Sequence, residues 1–141
     1  MKPVDQTIAH DPANGRYGDC MRAMIASLFE LGIEEVPHFF EDGCDASTFN
    51  SRINSWLRPM NLGYLPIGVV TVDALQAIGL NGLHHELSGQ ASRGVLHACA
   101  ALDGQVVHDP HPTKTGLATI EMSGVFVVLD PSKPAGRSRA C

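Results

Sequence analysis

The sequence predicts an α+β domain, with helices first and a mainly antiparallel sheet after them. Apolar residues recur at helical spacing up to about residue 78; beyond it the period falls to two, with Gly, Pro, Asp and Ser between the runs. The chain has 141 residues, 44% of them hydrophobic, which is enough for one self-sufficient core and too apolar for a mostly disordered chain. Residues 1–130 are expected to form this single domain and 131–141, polar and punctuated by Pro and Gly, a disordered tail.

The first nineteen residues read as loop, with a turn cluster at His10-Asp11-Pro12-Ala13-Asn14-Gly15. A helix is predicted over 20–31, capped by Asp19 and stopped by Gly32. Met21, Met24, Ile25, Leu28 and Leu31 form its apolar stripe, and Ala23, Ala26 and Ser27 suit close approach by neighbours. Cys20 falls in the first turn, at the edge of the buried face. A second helix is expected over 46–57, with Asp45 as cap and Phe49, Ile53, Trp56 and Leu57 facing inward. A third, short one covers 72–78 between Thr71 and Gly79. Strands are expected over 82–87, 95–102, 105–109 and 125–129.

Several function classes drop out. Net charge is −5, and Lys133, Arg137 and Arg139 lie in the last ten residues, so the rest of the chain holds 7 basic against 15 acidic groups. An acidic body does not suit a phosphate backbone, so no nucleic-acid partner is expected. No apolar run reaches the roughly 18 residues of a membrane span, and no apolar stretch follows Lys2 as a secretory signal would require. The cysteines (Cys20, Cys44, Cys99 and Cys141) include no C-x-x-C pair and are irregularly spaced, which fits free thiols in a cytoplasmic setting. His84, His85, His108 and His111 give no converging ligand set, because Pro110 interrupts a non-helical stretch. Neither a metal nor a cofactor is expected.

Three residues call for a joint explanation: Cys20 at a helix start, His97 in a strand and Asp109 on the next one. A helix N-terminus favours thiolate, an imidazole can take the thiol proton, and a carboxylate behind the ring fixes its tautomer. Two hairpin registers are open. A three-residue Leu102-Asp103-Gly104 loop sets His97 opposite Asp109 on one face. A two-residue Asp103-Gly104 turn sets His97 opposite Pro110 and turns Asp109 away. The first is preferred because it leaves Pro110 without a ladder partner to fail. Cys99 shares the face of His97 and is read as core, Cys44 and Cys141 as thiols without a role.

Gly18-Asp19-Cys20, Val95-Leu96-His97-Ala98 and Val107-His108-Asp109-Pro110 together resemble the papain-like cysteine peptidases, in particular small bacterial and phage-type variants related to the bacteriocin-leader (double-glycine) peptidases. Asp5-Gln6-Thr7 belongs to the same likeness, which spans about residues 5–117. The resemblance implies a papain-like fold, with the cysteine on a central helix packed against the sheet that carries His and Asp. It implies Cys20 as nucleophile, His97 as general base then acid, and Asp109 as orienting group. Gln6 is the preferred oxyanion donor and Asn14 the second choice; Arg93 is a candidate either for clamping a substrate carboxylate or for anchoring its own loop. Met21 and Arg22 depart from the residues usual after the cysteine, and the chain is short for a full papain-type cleft. The expected activity is hydrolysis of an amide, peptide or isopeptide bond through a thioester, with acyl transfer to an amine open to the same machinery. The substrate is a peptide, a protein or a small amide. The alternative is a catalytically inactive papain-like module that sequesters a partner protein.

Overall fold

The computed structural model describes residues 1–136. Three helices, α1 (Cys20–Phe29), α2 (Ala46–Leu57) and α3 (Val72–Ala77), accompany five strands: β1 (Leu62–Ile67), β2 (His84–Gln90), β3 (Leu96–Leu102), β4 (Gln105–His108) and β5 (Met122–Val128). All pair antiparallel in one sheet of order β1-β5-β2-β3-β4, so the class is α+β. Among the described residues no helix is long and apolar enough to cross a membrane.

The helices form where the periodicity placed them, with changes at their ends. Asp45 and Thr71 cap α2 and α3 by accepting from Thr48 N and Ala74 N. Asp19 makes no such cap. Its carboxylate accepts from Thr7 N, Thr7 Oγ1 and Ile8 N at 2.8–3.0 Å, so it fastens the N-terminal segment instead. α1 stops at Phe29, before the expected Gly32, because Glu30 turns left-handed at φ 56° and Leu31 N bonds back to Ala26 O.

β1 was not expected. Leu62-Gly63-Tyr64-Leu65-Pro66-Ile67 carries a proline that argues against a central strand, and β1 is an edge strand, where proline is tolerated. Its outer backbone edge is partly satisfied by α2: Asn54 Nδ2 donates to Tyr64 O and Asn54 Oδ1 accepts from Tyr64 N. β2 and β5 also run further than expected, to Gln90 and back to Met122.

One sheet face is covered by α1 and α2. Met24, Ile25, Ile53 and Leu57 are fully buried there with Ala98, Ala100 and Tyr64; burial of each of the four large side chains contributes about 1.5–3 kcal/mol. Ala98 and Ala100 let α1 lie close on β3. By strand alternation His97, Cys99 and Ala101 point from the opposite face. On the helix-covered face Glu86 is buried and accepts from Tyr64 Oη at 2.5 Å. Burial raises the Glu86 carboxyl above the ordinary range. A Cβ at Gly124 would meet both side chains at 2.3 Å, which explains a glycine in mid-strand.

Residues 131–136, expected in a loose tail, are held: Asn61 Nδ2 donates to the carbonyls of Asp130, Lys133 and Pro134, and Gly136 N donates to Met60 O. Arg137, Arg139 and Cys141 lie outside the described residues.

Candidate active site

The β3–β4 hairpin turns by the route that was not preferred. Leu102 pairs with Gln105, and Asp103 and Gly104 both have positive φ (52° and 82°), which makes a two-residue turn. Side-chain contacts impose it. Asp103 accepts from Gly82 N and Leu83 N at 3.0 and 2.8 Å, and Gly104 N donates to His85 Nε2. Gly104 also lies so close to Val72 N that a Cβ would sit 2.8 Å from it. That register alone would turn Asp109 away from His97. A bulge reverses this: Ala101 pairs with Val106 but Ala100 with His108, so Val107 is an extra residue. Continued one step, the shifted register returns Asp109 to the face of His97. The expected contact forms, through different pairing.

His97 Nε2 donates to Asp109 Oδ1 at 2.6 Å, and both side chains are buried. Asp109 also accepts from His111 N (2.8 Å, on Oδ1) and Gly116 N (2.7 Å, on Oδ2). Burial alone would raise its carboxyl. The His97 bond and the two backbone N–H groups outweigh it and hold Asp109 below the usual carboxylate range. For His97 burial dominates and lowers the imidazole, while Asp109 pulls upward. The resting ring is therefore neutral at pH 7. Because Nε2 carries the proton toward Asp109, Nδ1 is the basic nitrogen.

Cys20 opens α1, as the periodicity required. Its thiol does not follow the helix-dipole expectation, because desolvation pushes it up to about 11. The backbone N–H groups of Ala98 and Met21 offset part of this, and Glu86 and Asp19 add to the rise. Cys20 thus rests as a thiol against the β3 backbone at Ala98, the residue after His97. Cys99 is the cysteine whose sulfur lies within 4.8 Å of ligand atoms of His97 and Asp109. It is fully buried and pushed up to about 12 by burial, which agrees with its reading as core.

Gln6 is placed between the two halves of the site. Asp19, beside Cys20, holds Thr7 and Ile8, while Gln6 N donates to Pro110 O next to Asp109 at 2.9 Å. Gln6 Nε2 donates to Ile8 O at 2.9 Å, which leaves its second N–H for another acceptor. Gln6 Oε1 is buried without a partner among the described residues. Asn14 is exposed and donates to Asp11 Oδ2, away from this arrangement. Arg93 is exposed and donates to Thr115 Oγ1 at 3.1 Å.

A cleft of about 200 Å³ opens over His97. Gln6, His10, Arg93, His97 and His111 supply its polar lining, with Ala9, Val95 and Leu96 as apolar walls. Of the histidines outside the cleft, His108 Nε2 donates to Val4 O, His85 Nδ1 to Glu86 O and His38 Nε2 to Tyr17 O.

Sequence reasoning missed the work of Asp19, Thr7, His111 and Gly116. The only signal for the first two was the polar triplet around Gln6. The backbone donors at 111 and 116 carried none, since an N–H is present at every residue other than proline. Compared with known proteins, the chain matches no family model, no curated protein and no solved structure.

Proposed function

We propose that the protein is a cysteine hydrolase of papain-like architecture that cleaves an amide, peptide or isopeptide bond through a thioester on Cys20. The observation that carries this reading is the buried His97–Asp109 hydrogen bond at the floor of a cleft shared with Gln6, one residue along β3 from the backbone that meets the Cys20 thiol. Cys20 Sγ attacks the carbonyl carbon as its proton passes to His97 Nδ1. The free N–H of Gln6 donates to the developing oxyanion. His97 then protonates the leaving amine as the C–N bond breaks. Water attacks the thioester, giving a proton to His97; the C–S bond breaks, and the proton returns to sulfur. An amine in place of water gives acyl transfer. Free cysteines at 20, 44 and 99 fit a reducing, cytoplasmic setting.

A neutral thiol and a neutral imidazole differ from a preformed ion pair, so His97 acts as a general base during attack. The high resting value of the Cys20 thiol is also the observation that favours a second reading, a papain-like binding module without chemistry.

p-Nitrophenyl acetate separates the two. The hydrolase reading predicts a burst of nitrophenolate and one acetyl group on Cys20, removable by hydroxylamine and absent from Cys20→Ser and His97→Ala. Acetylation confined to lysines, or an equal burst from Cys20→Ser, refutes it.

A further inference from the structure

We infer that the cleft over His97 selects substrates carrying a carboxylate beside the reacting carbon, with Arg93 as the specificity-determining cation; this rests on the cysteine-hydrolase reading above. The chain has an excess of acids, yet among the described residues no carboxylate side chain lines this cleft. Its titratable rim is Arg93, His10 and His111.

Among the other described cations, Arg16 pairs with Asp11, Arg22 with Asp19, Arg52 with Asp42, Lys114 with Asp5 and Lys133 with Asp130, while Lys2 and Arg58 meet no carboxylate within ion-pair distance and do not line this cleft. Among the described residues Arg93 has no carboxylate within ion-pair distance. It is nonetheless steadied. One guanidinium nitrogen is fixed on the Thr115 hydroxyl, and its loop is closed by Gly94 N on Ala91 O and Ala91 N on Val95 O. That leaves the rest of the guanidinium fork, whose geometry matches a carboxylate, unsatisfied by any acid of the protein. The charge is felt where the chemistry sits, since Arg93 lowers both His97 and His111. An anion in the cleft would relieve that repulsion.

Two alkylating reagents of nearly equal size test this. Iodoacetate and iodoacetamide both place a CH₂ on sulfur with loss of iodide, and differ in carrying a carboxylate or a neutral amide. Second-order rates are read at Cys20 by peptide mapping, and the ratio of the iodoacetate rate to the iodoacetamide rate is compared between variants. Arg93→Gln should lower this ratio about tenfold. Arg93→Lys should restore part of it, and added salt should shrink the wild-type ratio. An unchanged ratio in Arg93→Gln, beside a His97→Ala variant that is slowed with both reagents, overturns this inference alone. A His97→Ala variant that reacts at the wild-type rate with both reagents removes the hydrolase reading and this inference with it.

Discussion

His97→Ala should slow alkylation of Cys20 by iodoacetamide at pH 7 by about 10²-fold or more. With the thiol near 11, about one molecule in 10⁴ carries a free thiolate at that pH. Rapid reaction therefore needs a base at hand, and general-base assistance supplies about 10²–10⁴. The pH dependence has a definite sign. Burial lowers the folded His97 below its ordinary 6.5, so the basic form survives as pH falls through 6.5 and the rate drops only below that value. Peptide mapping over a pH series reads both effects. Equal rates in wild type and His97→Ala would remove His97 from the chemistry. Earlier labelling of Cys44 than of Cys20 in the folded protein would remove Cys20.

Asp109→Ala should destabilise the fold by about 3–5 kcal/mol, measured by chemical denaturation. Alanine strands three donors at once: the buried His97 Nε2 and the half-buried backbone N–H groups of His111 and Gly116. Asp109→Asn should lose less, since an amide oxygen still accepts, although its NH₂ must face one of the same donors. The folded carboxyl lies below its unfolded value of 3.8, so its contribution is fully present above 3.8 and is lost as pH falls through the folded value. The wild-type advantage over Asp109→Ala should therefore shrink in acid. The same loss frees the His97 ring, so Cys20 alkylation in Asp109→Ala should slow even under conditions where the variant stays folded. A stability within about 1 kcal/mol of wild type would show that the carboxylate is not the anchor of the 109–116 loop.

The sequence carried the helices well because their evidence is local. The stripe through Met24 and Ile25 and the caps at Asp45 and Thr71 need no distant partner. β1 escaped because its legitimacy depends on being an edge, and edge position is a property of the whole sheet. Asp19 looked like a cap because an acid before a helix usually is one; here Thr7 and Ile8, twelve and eleven residues upstream, outcompeted the local N–H groups. The hairpin shows two errors of register that cancel. Asp103 is drawn into a tight turn by Gly82 and Leu83, some twenty residues away, and the Val107 bulge then restores the facing of Asp109. The His97–Asp109 contact was legible because residue type and order constrained it more tightly than register did. The state of the Cys20 thiol was not legible, since helix position suggested thiolate while burial, invisible in one dimension, decides otherwise.

The proposed chemistry requires Cys20 and His97 to work as a pair across the junction of α1 and β3. A crystal structure of the uncomplexed protein measures this directly. The expected separation of Cys20 Sγ from His97 Nδ1 is about 3–4 Å, with Nε2 still on Asp109. A separation of Nδ1 from the sulfur well beyond about 6 Å, with no space for a carbonyl between them, would contradict it.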